Sequence, residues 1–104
     1  MNDNLHRFIG LCMKAGKLAV GDGKAEDAVR RGKAYLVLIS KDASANTEKK
    51  YADMCSHRGL RLLKAFGDRY EFGRAVGREF AVVAAVTDKG FSQRISELSE
   101  RVGK

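Results

Sequence analysis

"VGDGKAEDAVRRGKAYLVLI", residues 20–39, changes its apolar period half-way along. Ala25, Ala28 and Val29 recur at i, i+3 and i+4, the spacing of one helical face, and Asp22 stands where a cap for that helix is expected. Gly32 ends the helix. Tyr35 to Ile39 then form an unbroken apolar run, the pattern of a strand buried on both faces. A helix that leads directly into a doubly buried strand points to a sheet with helices on both sides.

The flanking sequence repeats this alternation. Upstream, Leu5, Phe8, Ile9 and Cys12 make one helical face closed by Gly16, and Leu18 to Val20 is a short strand. Downstream, Ser44 is placed to cap a helix that turns Tyr51, Met54 and Cys55 inward and ends at Gly59. Leu60 to Phe66 is the next predicted strand. Asp68 and Glu71 have the spacing of a capping box for a short helix that stops at Gly77, and Phe80 to Val86 is a further buried strand. Asp88 is expected to cap a last helix striped by Phe91, Ile95, Leu98 and Val102. The predicted architecture is α/β: a three-layer α-β-α sandwich on a small mixed sheet of about four strands.

The 104 residues suffice for one domain, expected to span 1–104. Lys and Arg number 20 against 13 Asp and Glu, a formal charge of +7, which points to a polyanionic partner. Basic residues are spread through both halves, so a binding face has to be assembled by folding. Cys12 and Cys55 show no CxxC or metal-ligand spacing and are expected to be core thiols. The start, MNDNLHRFIG, lacks the basic and apolar regions of a signal peptide, and the longest apolar run is too short to span a bilayer. The expectation is a cytoplasmic protein with no membrane association.

Enzymatic chemistry finds little support. Gly23-Lys24 resembles the end of a phosphate-binding loop, but such a loop needs glycine at position 18 and Ser or Thr at 25, where Leu18 and Ala25 stand. No GxGxxG follows a strand. His6 and His57 are the only imidazoles and have no recognisable catalytic partner spacing. Neither a catalytic residue, a metal nor a cofactor is expected.

In sheets of this kind ligands gather where strand ends meet helix N-termini, which singles out three loops: Gly21 to Lys24, Ser40 to Ser44 and Gly77 to Phe80. Lys24 is a cation in the first turn of a helix, disfavoured there by the dipole, so a bound anion would explain it. Lys41 supplies the basic side chain of the second loop. Arg30 and Arg31 suit the helix C-terminus without any ligand, although Arg31 is retained as an RNA contact. Arg74, Arg78 and Phe80 cluster round the third turn, where a basic pair can hold phosphates while an apolar residue meets an unstacked base. Gly21, Asp22, Gly23 and Glu79 complete the predicted RNA site.

Two stretches, "AGKLAVGDGKAEDAVRRGKAYLVLISKDASANT" (15–47) and "FGRAVGREFAVVAAVTD" (72–88), with the alternation between them, resemble the kink-turn RNA-binding ribosomal protein family. This is the archaeal L-seven-Ae and eukaryotic L-thirty-e group, and within it the small bacterial YlxQ-type proteins. The similarity covers nearly the whole chain. It implies an α-β-α sandwich that binds RNA through the loop before its second helix and the loop before its last strand. The family's base-reading polar pair falls on Gly23 and Lys24, a following family lysine falls on Asp27, and the second loop falls on Arg78, Glu79 and Phe80. Gly23 has no side chain to reach a base, whereas Lys24 can still donate to guanine O6 and N7. The resemblance thus carries RNA binding further than kink-turn specificity.

The implied function is that of a non-catalytic, monomeric protein binding structured RNA, with the ribosome or ribosomal proteins as further partners. Two alternatives stay open: a protein-interaction module of the translation apparatus with only non-specific RNA affinity, and the substrate-recognition part of an RNA-modifying enzyme.

Overall fold

The computed structural model describes residues 3–64 and 67–102, the side chains of 4–64 and 67–100 among them. Five helices, α1 (Asp3–Lys14), α2 (Asp22–Arg30), α3 (Ala45–Arg58), α4 (Arg69–Ala75) and α5 (Lys89–Val102), alternate with four strands, β1 (Leu18–Val20), β2 (Leu36–Ile39), β3 (Arg61–Leu63) and β4 (Val83–Val86). The sheet order is β1-β4-β2-β3. β4 pairs antiparallel with β1 and β2, while β2 and β3 run parallel. The predicted α-β-α sandwich on a four-stranded mixed sheet is therefore present.

Successive strand residues point to opposite faces, and in β2 and β4 both faces are covered. Leu36, Leu38, Ala84 and Val86 pack with Leu5, Ile9 and Cys12 of α1, Phe72 of α4, and Ile95 and Leu98 of α5. Val37, Val83 and Ala85 pack on the other face with Ala25, Ala28 and Val29 of α2 and Tyr51 and Cys55 of α3. Two helices cover one face and three the other. Both cysteines are buried free thiols; burial, with Asp88 nearby, pushes Cys12 up to about 11 and burial alone raises Cys55, which keeps each protonated and unreactive.

Several predicted boundaries shift. β4 starts at Val83 rather than Phe80: Ala81 N–H donates to the Arg69 carbonyl of α4 instead of to a strand, and only from Val82, whose carbonyl accepts from Ser40 N–H, does the chain fall into line with β2. Tyr35 lies outside β2 and is exposed. β3 is shorter than predicted at both ends: it begins at Arg61 and ends at Leu63, and the predicted strand residue Phe66 lies outside the described residues, as does the side chain of Val102. Ser44, Asp68 and Asp88 cap their helices as expected, with the full capping box at Asp68 and Glu71.

Asp22 is not the cap of α2. That position belongs to Gly21, whose φ of 105° and ψ of 155° are open essentially to glycine alone. Asp22 is instead the first helical residue, with its carboxylate turned toward α3.

Candidate nucleic-acid interface

The sheet pairing fixes where the three predicted loops lie. Val20 of β1 lies opposite Ala84 and Ile39 of β2 opposite Val83, so the exits of β1 and β2 and the entry to β4 share one end of the sheet. Gly21–Lys24, Ser40–Ser44 and Gly77–Phe80 all emerge there, the third running on to Val82 before β4 begins.

Between the first and third of these loops lies a cleft of about 500 Å³. Gly21 and Asp22 form one wall, Arg78, Glu79 and Phe80 the other, and Thr47 of α3 closes one side. Gly23 and Lys24 continue from the first wall along the first turn of α2. Phe80 is 56% exposed, an aromatic ring left uncovered at the cleft mouth.

The start of α2 is open to an anion. Its first backbone bond is Ala25 N–H to the Gly21 carbonyl, and no side chain caps the preceding N–H groups of Asp22, Gly23 and Lys24. Three later helices satisfy this need with Ser44, Asp68 and Asp88, whereas α2 does not. Unsatisfied donors at the positive end of a helix attract phosphate oxygens.

An inter-helix network holds this N-terminus in place. The buried Tyr51 hydroxyl donates to Asp22 Oδ1 at 2.6 Å and lies 2.9 Å from the Asp22 carbonyl oxygen. Lys50 Nζ donates to Asp22 Oδ1 at 3.2 Å and pairs with Glu26 Oε1 at 2.6 Å. The Tyr51 hydrogen bond, with Lys50 beside it, holds the Asp22 carboxyl below its ordinary value, and burial together with Asp22 keeps the Tyr51 phenol protonated. The Asp22 charge is thereby compensated within the protein and does not stand uncompensated against an incoming phosphate.

Removing the hydroxyl in Tyr51→Phe is expected to lower stability by about 1.5 kcal/mol, checked by urea unfolding. The Asp22 contribution has a definite pH dependence. Because its folded pKa lies below the unfolded one, the stabilisation is complete above about pH 4 and is lost as pH falls through the folded value. Asp22→Asn should accordingly be less stable than the parent protein at neutral pH, with the difference closing on acidification.

The basic side chains divide into paired and unpaired sets. Arg30 pairs with Glu26 at 2.6 Å and Arg31 with Asp27 at 3.0 Å, which also neutralises the Asp27 carboxylate. Among the described residues, Lys24, Lys41, Arg74 and Arg78 have no carboxylate partner. Arg78 lines the cleft, and Lys24 stands in the first turn of α2, two residues on from the Asp22 wall. Lys41 sits on the neighbouring loop, its N–H bonded to the Gly67 carbonyl at 2.9 Å. Arg31 follows the last turn of α2, about 13 Å from the helix start by helical rise, away from the cleft. Arg74 lines a different groove, between α1 and α4.

The second wall depends on a residue that sequence reading left in a generic helix. A Cβ on Gly73 of α4 would lie 2.6 Å from Phe80 Cα and 2.8 Å from both the Arg78 carbonyl and Phe80 N, so the loop packs directly on glycine backbone. Arg78 N–H also donates to the Gly73 carbonyl at 2.8 Å. Nothing in the local sequence signals such a tertiary approach. Thr47 was missed too, because its position in the first turn of α3 suggests only capping, which it also serves through the Ser44 hydroxyl at 3.0 Å.

This helix and loop pair, on this sheet, can be compared with known proteins. The sequence profile of the ribosomal protein L7Ae/L30e/S12e/Gadd45 family matches residues 3–96. The chain belongs to that family. Within the L7Ae/L30e family, it is 38% identical over 91 residues to the RNA-binding protein YlxQ of Bacillus subtilis, covering 88% of this chain and 90% of that one. Large ribosomal subunit protein eL30 of Spodoptera frugiperda is 32% identical over 101 residues, covering 94% of this chain and 88% of its own. A solved structure of a protein of unknown function from Bacillus halodurans superposes with a TM-score of 0.89 at 33% identity, covering 95% of this chain and 99% of that one. The L7Ae/L30e fold thus extends over nearly all of this molecule, and both cleft walls lie within the matched residues.

Proposed function

We propose that this chain is a non-catalytic RNA-binding protein that grips structured RNA, ribosomal or kink-turn-like, in the cleft between the start of α2 and the loop before β4. The observation that carries this reading is the uncapped N-terminus of α2 facing Arg78 and the exposed Phe80 across one cleft. Open N–H groups at the start of α2, with Lys24 in its first turn, take phosphate oxygens, and Arg78 takes another from the opposite wall. Phe80 offers its face to an unstacked base, while Glu79, acceptor-only, can take a hydrogen bond from a base N–H or a ribose 2′-OH. Gly23, lacking a side chain, lets the RNA approach the helix end closely. Base choice then falls to Lys24, whose ammonium can donate to guanine O6 and N7.

The names of the relatives support RNA as the partner and the ribosome as the setting. In this reading the whole chain acts as one domain, as a cytoplasmic monomer.

The test is a titration of the full chain with a kink-turn RNA and with the same RNA whose sheared G·A pairs are replaced by G·C, across a range of salt. Log affinity should fall against log salt with a slope of roughly 2, corresponding to two or three neutralised phosphates. The kinked RNA should bind at least tenfold more tightly. Equal, salt-insensitive affinities for both RNAs would refute the site.

A further inference from the structure

A second groove, of about 820 Å³, runs between α1 and α4 on the three-helix side of the sheet. Its chemistry differs from that of the RNA cleft. Gly10, Ala75 and Gly77 keep its floor low; Gly10 comes so close to α4 that an added Cβ would stand 3.0 Å from the Ala75 carbonyl. Leu11 lines it while 54% exposed, although a leucine on an amphipathic helix ordinarily turns inward. Arg7, Lys14 and Arg74 stand around it. Among the described residues no carboxylate lines the groove, and none of these three cations has an ion-pair partner.

We infer that the α1/α4 groove is a docking site for a second protein, specifically for an acidic amphipathic helical segment. Both the apolar floor and the cationic rim are needed for this conclusion. A nucleic-acid backbone would satisfy the cations but leave Leu11 and the low apolar floor beside it against water. A helix with leucine-type anchors at i, i+3 and i+4 and glutamates beside them satisfies both. Arg7 and Lys14 are seven residues apart on α1, about 10.5 Å along its axis, so they bracket roughly two turns of such a partner. The geometry also leaves the RNA cleft free: Gly77 ends the groove and Arg78 begins the cleft wall, so one chain can hold RNA and a protein on adjacent faces.

The probe is a fluorescein-labelled synthetic helix of repeated Glu-Glu-Leu-Leu, with a Lys-Lys-Leu-Leu counterpart and a Glu-Glu-Ser-Ser counterpart as controls. Anisotropy titration of the full chain should show saturable micromolar binding of the acidic leucine peptide, with both controls at least tenfold weaker. Backbone amide shifts should move at Leu11, Met13 and Val76. Leu11→Ser and Arg74→Glu, both at exposed positions, should each lower peptide affinity at least tenfold, while Leu11→Ser leaves RNA affinity unchanged within twofold. Absence of saturable peptide binding overturns the inference, as does a shift map centred on Arg78 to Val83. RNA titrations that shift Arg7 and Lys14 as strongly as Lys24 would make the groove an RNA surface instead. The peptide measurement does not depend on whether RNA binds the cleft, so the two readings fail separately.

Discussion

Replacing Lys24 and Arg78 together by alanine is expected to weaken binding to the kink-turn RNA by roughly a hundredfold, because each charge-assisted phosphate contact contributes about 1.5 kcal/mol. The salt slope should fall by about 0.7 to 0.9 for each cation lost. The protein itself should be almost unaffected, since both side chains are exposed and neither has an ion-pair partner among the described residues. Arg31→Ala is the matched control. It removes a cation of equal charge already occupied by Asp27 at 3.0 Å, and it should change affinity less than threefold. Unchanged affinity in the double variant, measured by anisotropy at two salt concentrations, would move the site elsewhere on the molecule.

Gly73→Ala is expected to have the second large effect, by displacing the loop without touching any RNA-facing side chain. The atoms that a Cβ would meet are main-chain atoms of Arg78 and Phe80, at 2.6 to 2.8 Å, and backbone cannot swing aside as a side chain can. The cost is of the order of overpacking, about 1–3 kcal/mol, and falls on the loop that carries Arg78, Glu79 and Phe80. Melting temperature should drop by several degrees while RNA affinity drops at least tenfold. An exposed-surface control such as Gly23→Ala meets nothing within 4 Å, so it should retain its stability. Native RNA affinity in a folded Gly73→Ala protein would separate the loop from the function.

The sequence made the layered architecture legible because apolar periodicity and capping are local properties. Ala25, Ala28 and Val29 announce a helix face, YLVLI announces a doubly buried strand, and Ser44, Asp68 and Asp88 do what their spacing suggests. The gathering of three loops at one sheet end was less legible: the loop before β4 joins the two strand exits only because β4 runs antiparallel to β1 and β2, a pairing that the alternation of strands and helices does not fix. Long-range partners were not legible either. Asp22 has every local feature of a cap, and Tyr51 and Lys50, distant in sequence, turn the carboxylate away. Phe80 opens an apolar run and so suggests a strand, yet the tie from Ala81 to Arg69 delays the strand and leaves the ring in the open. Arg74 and Arg78 stand only four residues apart, but Gly77, at φ 75°, reverses the chain between them and sends them into different grooves.

The order of the sheet also bears on how the protein behaves while it waits for a partner. Its two longest strands lie in the middle, and the outer positions go to β1 and β3, of three residues each. β3 additionally carries exposed Arg61 and is followed by Lys64. So few unpaired N–H and C=O groups, beside positive charges, give a neighbouring chain little to extend. Molecules released from RNA at high concentration therefore lack a template for strand-to-strand growth, and an excess of the free protein can persist without precipitating through its sheet.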